Sequence, residues 1–186
     1  MKVASPPLTS FVRAVPDFPQ PGVLFRDLTP LWADGEAWAR ALEALARPFD
    51  AAPPQAVMGI EARGFLVAAG LAARWRSGLL LARKPGKLPG AAAREEFTLE
   101  YGKATIETHR DLVKPGTRVL IADDVIATGG TAVAALALAR TLQLVPVGFA
   151  FLVEIAFLEG RAKLGLTLPI HAVLTYDAAG EATVLE

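Results

Sequence analysis

The segment at residues 119–131 constrains the fold of this chain more than any other part of its sequence. An unbroken apolar run at residues 119–122 leads into the acid pair Asp123 and Asp124, and a loop with two glycines and two threonines follows before a helical pattern begins. An apolar run of this kind is typical of a strand buried in a parallel sheet that is covered by helices. The segment therefore predicts an α/β fold with a central strand that ends at two carboxylates.

Strand and helix patterns alternate along the rest of the chain, which predicts a mostly parallel central sheet flanked by helices. A helix is predicted from Asp34, a good N-cap, to Arg47, because apolar side chains recur at helical spacing and Pro48 follows. Weakly polar helix patterns cover residues 64–75 and 131–142. Strands are predicted at 56–60, 79–82, 97–99, 103–108, 118–123, 147–153 and 172–176, and loops at 11–33 and 85–96.

The composition excludes several kinds of site. The chain has no cysteine and only two histidines, His109 and His171, which match no motif and receive no role. Disulfides, thiolate zinc sites and a cysteine nucleophile are therefore absent, and a metal would be held mainly by oxygen, as magnesium is. The stretch at residues 136–158 carries Arg140 and Glu154, which argues against a membrane span. We expect a cytoplasmic protein.

The glycines exclude the common nucleotide-binding signatures. No two of the 16 glycines are separated by a single residue, so the dinucleotide fingerprint is missing. Two glycine pairs have P-loop spacing, but Phe65 and Leu166 follow them where a lysine is required.

The charges are unevenly distributed although they sum to zero. The chain has 19 basic and 19 acidic residues, so its bulk charge gives no reason to expect nucleic-acid binding. Residues 63–94, however, contain seven basic side chains and no acid. This local excess of positive charge favours a small anionic ligand.

The acids and the loop after them have the composition of a ligand site. In an open α/β sheet, ligands lie beyond the carboxyl ends of the strands, and the N–H groups at a helix start bind phosphate. Asp123 and Asp124 could accept hydrogen bonds from sugar hydroxyls or help to hold a hydrated cation. The alternative is an ordinary strand end with solvated acids and an N-capping Thr131. Two adjacent like charges favour the ligand site, because they repel each other without one.

Residues 123–131 resemble the phosphoribosyl-pyrophosphate (PRPP) motif of type I phosphoribosyltransferases, with Val125 and Ile126 where many members have two leucines. The resemblance implies that fold, with a small N-terminal hood and a flexible loop. It also implies that the two acids bind the ribose hydroxyls and that the following loop holds the 5′-phosphate. The residues assigned to this part of PRPP are Asp123, Asp124, Ala127, Thr128, Gly129, Gly130 and Thr131.

Four further segments are similar to signatures of the adenine phosphoribosyltransferases within that family. They occur in the family's order, and the resemblance covers roughly residues 11–165; the segments are 18–30, 61–65, 83–90 and 99–103. The resemblance implies the transfer of a phosphoribosyl group from PRPP to adenine, which gives AMP and pyrophosphate, with magnesium carried by PRPP. It also implies a homodimer. We expect one domain over residues 1–186, with a hood at roughly 11–33 and a lid loop at roughly 84–103.

The resemblance places adenine between Phe25 and Ile155, with backbone groups of Leu24 and Arg26 at the edge of the ring. A flat purine requires an apolar slot with a few fixed polar groups, and these residue types meet that requirement. Taken without the resemblance, Phe25 and Ile155 would be ordinary core residues.

Basic side chains around residues 63–103 are the candidates for binding pyrophosphate. Charge-assisted hydrogen bonds from them would be stronger than ordinary ones, although solvated surface charge is the usual role of a single lysine or arginine. Glycines and prolines in the same loop favour a lid that closes over a ligand. The resemblance gives Glu100 an acid/base role and counts Arg63 with it as catalytic. The pyrophosphate set is Arg63, Arg83, Lys84, Lys87, Tyr101 and Lys103.

Three alternatives remain open. The acceptor could be another purine base: hypoxanthine, guanine or xanthine. A regulator that keeps the PRPP fold and binds DNA is a second reading, but such proteins usually add a winged-helix domain, for which we expect no room before residue 11. A generic flavodoxin-like binding module is the third, and the specific motif argues against it.

Overall fold

The computed structural model describes residues 5–98, 103–165 and 167–184 of the chain. Fifteen helices and strands are described over these residues, apart from three short 3-10 turns. In chain order they are β1 (Arg13–Pro16), β2 (Leu24–Asp27), α1 (Thr29–Ala33), α2 (Gly35–Ala46), β3 (Ala56–Ile60), α3 (Gly64–Trp75), β4 (Gly78–Ala82), β5 (Ala92–Thr98), β6 (Lys103–His109), β7 (Arg118–Ile126), α4 (Gly130–Thr141), β8 (Val145–Ile155), α5 (Gly160–Leu164), β9 (Ile170–Tyr176) and β10 (Ala182–Val184).

Six strands form a central sheet in the order β10-β9-β8-β7-β3-β4. Every neighbouring pair is parallel except β10 and β9. The strand β7 lies between β8 and β3, which confirms the prediction that it is central. The predicted α/β class with a mostly parallel sheet is also confirmed.

The sheet is buried on both faces by two apolar clusters. On one face, Leu120 and Ala122 of β7 pack in a cluster with α2 and α3. On the other face, Val119 and Ile121 pack in a cluster with α4. Side chains alternate along a strand, so one continuous apolar run supplies both clusters. This arrangement leaves the ends of the strands as the place where polar groups can gather.

The three longer helices agree with the sequence patterns within one or two residues. The helix α2 begins after Asp34, whose Oδ1 accepts the backbone N–H of Ala37 at 2.9 Å, as an N-cap does. The helix α4 begins one residue earlier than expected, after Gly129 in a left-handed conformation. Thr131 therefore does not cap this helix.

Two stretches predicted to be loops contain regular structure. Residues 11–33 hold the hairpin of β1 and β2 and the helix α1, tied together by Asp27, whose carboxylate accepts bonds from Arg13 and Thr29. The four prolines of this stretch obscured the short strands because they interrupt any alternating pattern. Residues 92–96 belong to β5, which pairs antiparallel with β6. Their mixed polarity follows from a hairpin with only part of its surface buried.

Other differences concern the ends of strands and short elements near the C-terminus. The strands β7 and β8 extend to Ile126 and Ile155, beyond their predicted ends at 123 and 153, so Asp124 lies within β7 as Asp123 does. Neither α5 nor β10 was predicted, since five and three residues are too short for periodicity to detect. Over the described residues, none of the helices has the length and apolar character needed to cross a membrane.

Candidate active site

Two cavities lie at the carboxyl edge of β3, β7 and β8. The larger has a volume of about 640 Å³ and the smaller about 100 Å³. They share Asp123, Val125 and Ala127 in their walls. The larger is lined by Gly22, Val23, Leu24, Phe25, Arg26, Glu61, Ala62, Arg63, Asp123, Asp124, Val125, Ala127, Ile155, Phe157, Leu158, Asp177, Ala178, Ala179 and Gly180.

The acid pair lines the larger cavity, and Asp123 also lines the smaller one. Asp124 is only 4% exposed, and its Oδ2 lies 2.7 Å from Nε of Arg63. Oδ1 of Asp123 accepts the backbone N–H of Asp124 at 2.8 Å. A Cβ atom on Gly64 would lie 2.5 Å from that Oδ1, so only glycine lets the start of α3 approach the acid so closely.

The surroundings of the two acids disfavour their charge. Burial raises the pKa of Asp123 well above its usual range, and the neighbouring charge of Asp124 raises it further. Burial also raises the pKa of Asp124, although the Arg63 guanidinium opposes the rise. Such strongly perturbed carboxyls in a cleft are characteristic of functional sites.

The smaller cavity is lined by the loop that follows β7. Its walls include Ala127, Thr128, Gly129, Gly130 and Thr131, at the N-terminus of α4. All five residues assigned to the 5′-phosphate are thus brought together around one cavity. Free backbone N–H groups at a helix start suit an anion.

The predicted phosphate loop, residues 127–131, rests directly on the backbone of Gly160. A Cβ atom on Gly160 would lie 2.2 Å from the carbonyl oxygen of Ala127 and 2.9 Å from the backbone nitrogen of Gly129. A Cβ atom on Gly129, whose φ is +79°, would lie 2.5 Å from the carbonyl oxygen of Gly160. Only two glycines permit this contact, so α5 supports the loop from behind.

An ion pair between half-buried Arg161 and buried Glu154 holds α5 against β8. Both side-chain oxygens of Glu154 accept hydrogen bonds from the Arg161 guanidinium, which also donates to the carbonyl oxygen of Ile170 at 2.7 Å. Bidentate pairs of this kind fix orientation as well as contributing energy. Since Ile155 follows Glu154, one short segment carries both the wall of the larger cavity and the support of the phosphate loop.

The residues assigned to adenine form an apolar end of the larger cavity, and of these four none lines the smaller one. Phe25, Ile155, Leu24 and Arg26 are all in the wall of the larger cavity. The Phe25 ring packs edge-to-face on Phe18 with centroids 5.1 Å apart. The Arg63 guanidinium lies 5.0 Å from the centre of the Phe25 ring, so it spans the distance between this apolar end and the acids.

A turn near the C-terminus completes this end of the cavity and carried no recognisable signal in the sequence. The turn, residues 177–180, connects β9 to β10 and lines the larger cavity. The Arg26 guanidinium lies 3.9 Å from the centre of the Tyr176 ring. Sequence reasoning missed the turn because its residues form no motif and lie far along the chain from the hood.

Residues 83–90, here called the basic loop, are held by two carboxylates. None of their side chains lines either cavity. Arg83 donates to Glu61 Oε1 at 3.2 Å and to the carbonyl oxygen of Lys87 at 3.0 Å, while Lys84 donates its backbone N–H to Glu61 Oε2 at 2.7 Å. Lys84 and Lys87 are exposed. Burial would raise the pKa of Glu61, but the bonds from Lys84 and Arg83 lower it.

Glu107 of β6 is the second carboxylate and was not singled out in the sequence. It is 1% exposed and accepts the Gly86 N–H at 2.8 Å and Arg94 Nε at 2.9 Å. Burial opposes its charge, yet these bonds, with a further one from the Leu88 backbone, lower the pKa of the carboxyl. A buried charge of this kind needs several donors, and the loop supplies them.

Part of the predicted site lies outside the described residues. Glu100 and Tyr101 belong to residues 99–102, and the side chain of Lys103 is likewise outside the description. Their predicted roles stay predictions. Over the part of the chain that the structure describes, no three histidine, cysteine or acidic side chains are grouped as a metal cage would require.

Comparison with known proteins gives a consistent family. A model of the phosphoribosyl transferase domain matches residues 34–165. An adenine phosphoribosyltransferase of Xanthomonas axonopodis pv. citri is 51% identical over 165 residues, 89% of this chain and 89% of that protein. One of Sorangium cellulosum is 47% identical over 178 residues, 94% of this chain and 88% of that protein.

Solved structures agree with these relatives. The crystal structure of adenine phosphoribosyltransferase from Rhodothermus marinus matches with a TM-score of 0.87 and 46% identity, over 90% of this chain and 96% of that one. The enzyme from Saccharomyces cerevisiae, complexed with an imino-altritol bisphosphate and adenine, matches with a TM-score of 0.83 and 33% identity, over 89% of this chain and 95% of that one.

Proposed function

The chain belongs to the adenine phosphoribosyltransferase family, and we propose that it transfers the 5-phosphoribosyl group of PRPP to adenine, with AMP and pyrophosphate as products. One structural observation is the main support for this proposal. A single cavity joins an apolar slot at Phe25 and Ile155 to the acids Asp123 and Asp124, and a phosphate-sized cavity adjoins it. A purine, a ribose diol and a phosphate would occupy these three places in the order in which they are bonded in AMP.

In the proposed reaction, an adenine nitrogen attacks the anomeric carbon of the ribose. The new C–N bond forms as the C–O bond to pyrophosphate breaks, the leaving oxygen keeps the electron pair, and adenine loses the proton from its ring nitrogen. Glu100 is the proposed acceptor of that proton. The sugar gains positive character in the transition state, and the carboxylates Asp123 and Asp124 bind its hydroxyls.

The cations of the site are proposed to stabilise the departing negative charge. Arg63 is the best placed, because it already lines the cavity and pairs with Asp124 at 2.7 Å. The remaining side chains would act from the lid loop at roughly 84–103 and from the residue before it: Arg83, Lys84, Lys87, Tyr101 and Lys103. We further propose that the chain forms one domain. The loop backbone is anchored by Glu61 and Glu107 at its start, which leaves the exposed Lys84 and Lys87 side chains free to approach pyrophosphate.

Magnesium enters the proposal with PRPP rather than as a resident ion. Asp123 and Asp124 provide the hard oxygen donors that such a cation prefers, so the acid pair suits an ion that is shared with the substrate. When bound, magnesium neutralises part of the pyrophosphate charge.

The direct test is pyrophosphate release from magnesium-PRPP with adenine, hypoxanthine, guanine and xanthine supplied in turn. We expect turnover with adenine far above the other three bases. Turnover with another base alone would move the assignment to that acceptor, and no turnover with any base would contradict the proposed reaction.

We also propose that two copies of the chain associate through α3 and β4. The strand β4 is an edge of the central sheet, and Leu66 on α3 and Leu79 on β4 are 47% and 40% exposed. Apolar side chains on an unpaired edge suit a second copy of the same surface, because a two-fold dimer buries it against itself.

Light scattering tests this association. The wild-type chain should have the mass of a dimer, and the double variant Leu66→Glu, Leu79→Glu that of a monomer. A wild-type mass equal to one chain would contradict the proposal.

We place the reaction in the cytoplasm, since its phosphorylated substrates carry charges that do not cross a bilayer unaided.

A further inference from the structure

The base end of the cavity has a wall that the matched family model does not include. That model covers residues 34–165, whereas the turn at residues 177–180 lies beyond it. The turn is internally bonded: Oδ1 of Asp177 accepts the backbone N–H groups of Ala179 and Glu181, both at 2.9 Å. The Gly180 N–H also donates to the carbonyl oxygen of Asp177 at 3.1 Å. The turn is therefore a preformed wall rather than a loose end of the chain.

Arg26 connects this wall to the hood. Its guanidinium lies 3.9 Å from the centre of the Tyr176 ring, and its Nη2 donates to the carbonyl oxygen of Gly180 at 3.3 Å. The side chain thus contacts the residue before the turn and the last residue of the turn. Tyr176 is 4% exposed, so the ring is held in the core and offers a fixed face to the cation.

The position of Arg26 gives these contacts a consequence for the ligand. Arg26 lies on β2 beside Phe25, and both residues line the cavity. Ala178 and Ala179 of the turn line the same cavity. Through its contacts with Tyr176 and Gly180, Arg26 therefore joins the hood to the turn beside the cavity.

We propose that Arg26 and Tyr176 form a positioning pair that sets the width of the base pocket and so selects a purine of adenine's size. This inference rests on the proposed function and adds to it a specificity element. The guanidinium acts through the turn that it holds, and the small side chains of Ala178 and Ala179 leave room for an unsubstituted ring edge. Neither residue of the pair is among those proposed to bind PRPP.

The test is a kinetic comparison of Arg26→Met, Tyr176→Leu, Tyr176→Phe and the double variant Arg26→Met, Tyr176→Leu, with Arg140→Met as a control at an exposed arginine of α4. We expect the Met and Leu variants to raise KM for adenine by about 2- to 30-fold, the range of a cation–π contact. KM for PRPP should stay unchanged. Tyr176→Phe keeps the ring and should behave as the wild type, and the double variant should be no worse than the worse single one.

Specificity provides a second readout. Relaxing the turn should raise the relative turnover of adenines that carry a small substituent on the ring, measured against adenine itself. If Tyr176→Leu does not fold, Arg26→Met still tests the pair, because Arg26 is only half-buried.

Several results would overturn the inference. They are an equal rise in both KM values, an effect of Tyr176→Phe as large as that of Tyr176→Leu, or no effect of Arg26→Met on KM for adenine. Each of these requires a wild-type enzyme that turns over adenine, so it is distinguishable from a failure of the proposed function. A wild-type chain that turns over no purine would contradict both.

Discussion

At the residue scale, the carboxyl groups around the cavity differ in the surroundings that the fold gives them. Half-buried Asp123 and buried Asp124 are adjacent, and their pKa values are raised. Half-buried Glu61 and buried Glu107 differ from them, because each accepts hydrogen bonds from residues 83–94 and has a lowered pKa. The charges of the first pair are unfavourable until a ligand binds there, whereas the charges of the second pair are compensated by hydrogen bonds from the protein itself.

Substituting Asp123 by asparagine should raise thermal stability and at the same time weaken PRPP binding. Because its folded pKa lies above the unfolded value of 3.8, the ionised carboxyl opposes folding. This opposition is absent below the unfolded pKa and complete above the folded one. Asp123→Asn without ligand should therefore melt above the wild type at pH 7, by about 2–4 °C for each kcal/mol gained, and the difference should vanish towards pH 4.

The same variant should lose PRPP affinity by about 10- to 100-fold, the value of a charge-assisted hydrogen bond. The measurement is the rise in Tm on adding magnesium-PRPP, with Asp111→Asn, an exposed acid away from the cavity, as the control. A full PRPP-induced rise in Asp123→Asn would remove this acid from the site.

Glu107→Gln should weaken the anchoring of the basic loop. The amide nitrogen would face the donor of either Gly86 or Arg94, which bond different oxygens of Glu107, so we expect KM for PRPP to rise by about 3- to 10-fold and Tm to fall. The lowered folded pKa contributes stability above the unfolded value of 4.5 and loses it as pH falls through the folded pKa. The difference in Tm between wild type and variant should accordingly be constant above about pH 5 and shrink below pH 4.5.

The control for this comparison is Glu43→Gln, at an exposed acid of α2. A Tm difference for Glu107→Gln that persists unchanged into acid would show that the charge of Glu107 does not hold the loop.

At the element scale, the short helix α5 is the support of the phosphate loop. Its first residue, Gly160, touches the backbone of Ala127 and Gly129, and its second, Arg161, is bound to Glu154 of β8. A loop that has to cradle a phosphate needs such a support, because its own glycines give it no side-chain packing. The loop's geometry is therefore determined by an element about thirty residues further along the chain.

Gly160→Ala should displace the phosphate loop. The added methyl would meet backbone atoms, which cannot rotate away, so we expect a loss of about 1–3 kcal/mol in the free energy of unfolding. KM for PRPP should rise more than KM for adenine. The matched control is Gly35→Ala, since a Cβ there would meet nothing within 4 Å and its φ is ordinary. Equal effects of the two substitutions would contradict this account of α5.

The sequence predicted the elements whose signals are local. The helices α2 and α3 and the strand β7 follow from periodicity, from the Asp34 cap and from an apolar run, and the residues of the phosphate loop follow from one contiguous motif. The hood hairpin was missed because prolines hide its alternation. Glu107 and the turn at residues 177–180 were missed for another reason: each acquires its role from partners far away in the chain, such as Gly86 for the first and Arg26 for the second.

At the scale of the whole molecule, zero net charge hides a separation of charge. Seven basic and no acidic residues occur within residues 63–94, and the rest of the chain has an excess of acids. Glu61 and Glu107 bind part of this basic segment, while Lys84 and Lys87 remain exposed. A locally positive surface raises the concentration of anions near the cavity and is screened by salt.

Salt should therefore weaken the binding of PRPP more than the binding of adenine. On raising sodium chloride from 0.1 to 1 M the Debye length falls from about 10 to about 3 Å, so KM for PRPP should increase several-fold. Adenine is uncharged at neutral pH, and its KM provides the internal control. Parallel changes in the two values would mean that salt perturbs the fold rather than the attraction.

The division of the larger cavity between distant parts of the chain also bears on how such an enzyme can change over evolution. The residues proposed to bind PRPP come mostly from residues 34–165, as does Ile155 of the proposed adenine slot, whereas the hood and the turn at 177–180 lie before and after that range. On the proposed function, substitutions in the hood and the turn would reshape part of the acceptor pocket and leave the residues proposed to bind PRPP in place. These two segments are then the parts in which one scaffold could come to accept different bases.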